Sequence, residues 1–265
     1  MEAEVLRRQL EYALLMFIRV SGLLISSPIF GRRNAPRAVK IGFCGVVTAV
    51  FLAALPEPAV YPEFSGPLEF GLVVIRELGF GVAMGFVLTA MFNLTMTAGA
   101  VMDYQIGYSM ASIYDSQNNA LTPISGNLFN ILLLLFFLMY DGHLKLIDII
   151  YRTFLVVPVG GAMAPADIVW VAAEVMSKAF VLSVMVAMPV MAAGLMIEVV
   201  LGIMIKSVPQ MNMFVVGIPL KIVVGLAVMI MAFGVFAGMT RDIFTLTFNY
   251  IGAMFDALSA PLRGG

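Results

Sequence analysis

The only histidine is His143, and catalysis or metal binding there would need partners, yet the one acid near it in sequence is Asp141. Beside an Asp141-Gly142 turn it reads as a capping or interfacial residue. The only cysteine, Cys44, lies in an apolar run; alone it forms neither an internal disulfide nor a thiolate metal site, and it reads as a small buried residue. No Gly-rich phosphate loop ending in Lys and Ser or Thr, no His-Glu-x-x-His and no Gly-x-Ser-x-Gly occurs. No cofactor, no metal and no enzymatic activity are expected. The chemically unusual residues are of another kind. Arg19, Glu77 and Glu198 are ionisable groups inside apolar runs, where a charge is expensive unless it has a partner.

A second unusual feature is Ser207 to Lys221, Ser-Val-Pro-Gln-Met-Asn-Met-Phe-Val-Val-Gly-Ile-Pro-Leu-Lys. Pro209 and Pro219 each remove a backbone donor and Gly217 frees the backbone, so a helix is not expected to run cleanly through it. No charge falls between Lys206 and Lys221. An irregular stretch this apolar cannot face lipid, because its freed amides would find no water, so it must pack against protein or line a cavity. It reads as an assembly element.

These residues have to be positioned by long apolar elements. The chain has 265 residues, 62% hydrophobic and only 12% charged, which excludes an ordinary soluble domain. Charge-free stretches at 78–102, 116–140, 179–197 and 222–240 are each long enough for a spanning helix. The class is a polytopic, all-α membrane protein of long helices broken by Pro and Gly. A net charge of −1, and no basic run beyond Arg32 to Lys40, argue against nucleic acid as a partner. The N-terminal charges Glu2, Glu4, Arg7, Arg8 and Glu11, with no small-residue cleavage signal, indicate a retained first helix.

In chain order, Tyr12 to Phe30 is the first apolar segment, ended by Ser26, Ser27 and Pro28. The basic loop from Gly31 to Lys40 is assigned to the cytoplasm, and the N-terminus and the acidic loop with Glu57, Glu63 and Glu69 to the outside. Leu68 to Val101 is apolar, interrupted by Arg76, Glu77 and glycines, and Gly81 with Gly85 makes a small-xxx-small pair suited to tight helix packing. Residues 99–126 are polar by this chain's standards, with turn-forming residues in their second half. Lys145, Asp148 and Arg152 share one face of the next helix. Ala166 to Ile205 is too long for one simple crossing, and Pro189 should kink it. Ile222 to Met239 continues as a helix, and Arg241 to Leu258 reads as an amphipathic end. Lys206 and Lys221 favour a cytoplasmic bend between the last two long helices. Most of the 21 methionines read as gap-fillers in apolar cores.

Pro209 to Lys221 resembles the signature of the flagellar biosynthetic protein FliR family, the R subunit of type III secretion export gates. Further pieces stand in family order: Ser27-Pro28-Ile29-Phe30-Gly31 with Val39-Lys40-Ile41-Gly42, Gly107-Tyr108-Ser109-Met110-Ala111, Gly142-His143-Leu144, and Val157-Pro158-Val159-Gly160-Gly161. The family often has Asp-Pro where this chain has Asp115-Ser116. The resemblance covers nearly the whole of 1–265, read as a single subunit, and the C-terminal hairpin and tail at 166–258 look like the Q subunit of the same gate.

The resemblance implies a non-enzymatic gate subunit of the bacterial inner membrane, multi-pass, at the flagellar basal body. It would form a helical pore complex with P and Q subunits, near the B and A export-apparatus proteins, in contact with lipid and with unfolded exported proteins in transit. Arg19, Glu77 and Glu198, which show no obvious partner along the sequence, would then be satisfied by neighbouring subunits. The plug of the family falls on about 107–119, with Gly107, Tyr108, Ser109, Met110, Ala111, Ile113, Tyr114, Asp115, Gln117 and Asn118. Small, hydroxyl and apolar residues together suit a reversible stopper. The assembly element carries Pro209, Gln210, Asn212, Phe214, Gly217, Pro219 and Lys221. The alternatives are a secondary transporter with discontinuous helices and the equivalent subunit of a virulence secretion system.

Overall fold

The computed structural model describes residues 2–31, 36–56, 58, 61–108, 123–162, 167–208 and 213–263. Among these are seven helices: α1 (Glu2–Ser26), α2 (Arg37–Ala54), α3 (Pro67–Ile106), α4 (Ile124–Met139), α5 (Gly142–Val156), α6 (Asp167–Ser207) and α7 (Met213–Arg263). Five of them, α1, α2, α3, α6 and α7, are long and apolar enough to cross a membrane, and α4 with α5 qualifies as one broken span. The protein is an all-helical polytopic membrane protein. At about 1.5 Å per residue α3 runs for about 60 Å and α7 for about 76 Å, both well beyond the ~30 Å of lipid hydrocarbon.

Local chemistry sets the helix ends. The Ser26 hydroxyl turns back onto the Gly22 carbonyl at 2.5 Å, and Pro28 cannot extend α1. Pro67 opens α3, where a missing amide costs nothing. Gly107 closes it in the left-handed region, φ 95°, its amide reaching the Asp103 and Tyr104 carbonyls. Asp141 is the one non-glycine with positive φ among the described residues, 54°, and the turn it makes places Gly142 and His143 at the start of α5.

The third apolar segment, with Arg76, Glu77 and the nearby glycines inside it, is one unbroken helix of 40 residues, α3. Its helical hydrogen bonds are made in the backbone, and the residues at 76 and 77 only point to different faces. One expectation needs correcting, and it concerns Ser207 to Lys221. Helix α7 resumes at Met213 and passes through Gly217 and Pro219, as does α6 through Pro189. Pro219 removes only the bond to the Val215 carbonyl, on an exposed part of the helix, while Pro209 to Asn212 lie outside the described residues. α7 also merges the two C-terminal segments, 222–239 and 241–258, into one helix.

The chain divides into two compact units, residues 1–91 with 140–176 and 245–265, and residues 92–139 with 177–244. In the first, α1 and α3 cross at small residues. A methyl on Gly81 would fall on the Arg19 carbonyl, and one on Gly22 would sit 2.8 Å from the Leu78 carbonyl. The Thr89 hydroxyl donates to the Ser26 carbonyl across the same crossing. In lipid, helices associate through such close approach rather than through apolar burial alone. Around it Leu15, Met16, Leu24, Met84 and Leu88 are fully buried.

The core of the second unit is aromatic. Phe129 meets Phe236 edge-on at 4.9 Å, and Phe137 meets Phe92 at 5.5 Å and Phe244 at 5.6 Å. Each such pair contributes about 0.5–1.5 kcal/mol beyond its buried area. Asn130 on α4 donates to the Phe92 carbonyl and to Thr95 on α3, fixing the register of the two helices.

Candidate functional site

In the first unit the charges inside the apolar helices find each other. Arg19 on α1 forks onto Glu77 on α3, Nε to Oε2 at 2.5 Å and Nη2 to Oε1 at 2.9 Å, with the two side chains 2% and 0% exposed. The other three guanidinium donors go to the Thr153, Val157 and Pro158 carbonyls at 3.3, 2.9 and 3.3 Å. All five N–H groups of the arginine are therefore used. These carbonyls lie in the last turn of α5 and just beyond it, where a cation is favoured; the Thr153 carbonyl also accepts the Val157 amide. The rings of Phe80 and Phe154 cover the guanidinium at 4.8 and 4.7 Å.

The turn after α5 completes the centre. Gly161 donates to the Pro158 carbonyl at 2.9 Å, closing a turn whose third residue, Gly160, has φ 88° and donates its amide to Glu77 at 2.8 Å. Val157 to Gly161 is thus a receptor for both charges. Arg19 and Glu77 were expected to rely on neighbouring subunits, and the structure corrects this: a pair 58 positions apart satisfies itself within the chain. The third such charge, Glu198 on α6, also has an intrachain partner, Lys221 on α7, at 2.6 Å in an exposed position.

In the second unit the end of α3 is held against α4. The Asp103 carboxylate, 6% exposed, accepts the Ser125 amide at 3.2 and 3.3 Å and the Ser125 hydroxyl. One turn earlier Gly99 lies so close to Gly126 that any side chain would strike its backbone. Gly107 and Tyr108, the first residues of the plug stretch, follow directly. The remainder of that set, Ser109, Met110, Ala111, Ile113, Tyr114, Asp115, Gln117 and Asn118, lies outside the described residues, as do Pro209, Gln210 and Asn212. Phe214 is the second residue of α7, Gly217 is buried within that helix, and Pro219 and Lys221 follow on it.

Three other expectations have a definite place. Gly81 and Gly85 serve tight helix packing on α1. Asp148 and Arg152 pair at 2.8 Å, while Lys145 lies over the Phe248 ring instead. Lys40 donates to the Gly31 carbonyl at 2.9 Å, joining the two N-terminal motif pieces. Among the described residues no three of His, Cys, Asp and Glu gather into a metal-holding group.

Residues 10–247 match the family described as bacterial export proteins, family 1. The chain belongs to that family. Two flagellar biosynthetic proteins FliR are similar to this bacterial export protein: that of Bacillus subtilis (strain 168), 31% identical over 141 residues, and that of Escherichia coli (strain K12), 33% identical over 145 residues. The matched part spans about half of each relative, 53% and 54% of their lengths, and the same shares of this chain. The family match takes in the Arg19–Glu77 centre, the Asp103–Ser125 contact and most of α7. Sequence reasoning gave no role to Asp103 and Ser125, and it read Gly160 only as part of the Val157 to Gly161 piece. The signal for the ion pair was present: Arg19, Gly22 and Ser26 share one face of α1, and Glu77, Gly81 and Gly85 one face of α3.

Proposed function

We propose that this protein is a structural and gating subunit of the flagellar type III protein export channel of the bacterial inner membrane. The observation that carries the reading is the family match across residues 10–247, supported by two relatives named as flagellar biosynthetic protein FliR. The protein performs no chemistry of its own; it shapes a conduit with P and Q subunits, next to the B and A export-apparatus proteins, through which unfolded flagellar proteins pass.

The geometry suits that role. Helices much longer than a bilayer is thick, with apolar faces left exposed on a single chain, need neighbours of the same kind. The stretch at 107–119 acts as the stopper, and Pro209 to Lys221 as the element against which the other subunits assemble. The test is ion leakage across the membrane of cells that hold the assembled gate. Removing 107–119 should raise the leak; an unchanged leak would end the stopper assignment.

A further inference from the structure

We infer that Asp103 is a positioning residue that clasps the end of α3 to the start of α4 and so sets the resting, sealed state of the gate. The inference rests on the gating role proposed above, but its geometry stands apart from it. The first amides of a helix have no partner inside the helix, and they are commonly met by a side chain just ahead of it. Ahead of α4 stands Pro123, which has no such side chain. The cap comes instead from another helix: Asp103 takes the Ser125 amide and the Ser125 hydroxyl.

The carboxylate is suited to the task. It is buried, and among the described residues its side chain meets no cation; its partners are the two donors of Ser125, at the positive end of α4. Its reach is set by Gly99, one turn back on the same face, whose backbone closes on Gly126. The last turn of α3 is gripped from two further sides. A methyl on Gly194 of α6 would fall on the Gln105 side chain, and one on Gly225 of α7 would lie 2.6 Å from Ile106.

Two helices therefore approach the final turn of α3 at glycines, and α4 does so one turn back, at Gly99. The contacts of α6 and α7 are steric, whereas the contact with α4 adds a compact set of hydrogen bonds that can open and re-form. Opening it frees the start of α4 without dismantling the aromatic core, since Phe129 and Phe137 hold the rest of that helix.

The experiment uses the complete chain in its assembled gate. Hydrogen exchange of the amides at the start of α4 is compared for the native chain, Asp103→Ala, Asp103→Asn and Ser125→Ala, beside the ion leak of cells carrying each. Asp103→Ala should speed exchange there by about tenfold to a hundredfold, the effect of orphaning buried donors, with exchange in α5 unchanged. Asparagine keeps an acceptor oxygen and should restore part of the protection. The leak should follow the same order, with Asp103→Ala approaching the deletion of 107–119. Unchanged exchange at α4 in Asp103→Ala, or uniform acceleration through every helix, would overturn the clasp. If the deletion leaks and Asp103→Ala does not, the clasp has no part in sealing while the gate reading stands. If neither leaks, the gate reading falls, and the exchange data still decide whether the clasp exists.

Discussion

Arg19 and Glu77 are joined by two hydrogen bonds of 2.5 and 2.9 Å while both side chains are all but fully buried. This pair, with the α5 carbonyls and the Gly160 amide around it, ties α1, α3 and the turn at 158–161 into one unit. A buried pair of this kind adds little net stability compared with an apolar replacement, but breaking it is costly.

Arg19→Ala should therefore destabilise the protein by about 3–5 kcal/mol, because it strands the Glu77 carboxylate. Arg19→Ala combined with Glu77→Ala should be less damaging than Arg19→Ala alone. Lysine in place of Arg19 should also fall short, since three donors cannot meet five acceptors. Thermal unfolding of the detergent-solubilised variants measures all three; a larger loss in the double variant than in Arg19→Ala, as two independent deletions would give, would show that the charges are not coupled.

Two glycines of α3 should respond in opposite ways. A side chain at Gly81 meets the α1 backbone, so Gly81→Val should cost about 1–3 kcal/mol or more through overpacking. At Gly79 there is open space, and Gly79→Ala should stabilise the helix by roughly 0.5–1 kcal/mol. Melting temperatures that shift in the same direction would contradict the crossing described for α1 and α3.

Lys221 and Glu198 form an exposed pair, and such pairs contribute about 0–1 kcal/mol. Lys221→Ala should leave the stability of the isolated chain nearly unchanged. If Pro209 to Lys221 is an assembly element, co-purification with the P and Q subunits should fall by much more. Pro209→Ala with Pro219→Ala should likewise weaken assembly while sparing membrane insertion. Equal loss of insertion and assembly would count against that role.

How much of this was legible in the sequence depends on how local the signal was. The membrane class, the end of α1 at Ser26, the long helix after Pro165 and the packing role of Gly81 and Gly85 follow from composition and near-neighbour spacing. The partner of Arg19 did not, because it lies far along the chain and next to a decoy. Arg76 adjoins Glu77 in sequence, yet one helical step of about 100° puts Arg76 on an exposed face and Glu77 in the core. The Asp103–Ser125 clasp was hidden for a related reason: a cap from another helix leaves no trace in the residues just ahead of α4. Pro219 misled in the opposite direction, since proline is tolerated where its freed carbonyl is exposed.

Affinity purification of the tagged, full-length chain from its own cells probes the export-gate reading most directly. The expected result is one stable complex of fixed proportions with the P and Q subunits, enclosing a shared central passage. A solitary, stable monomer that moves a small solute in liposomes would contradict it.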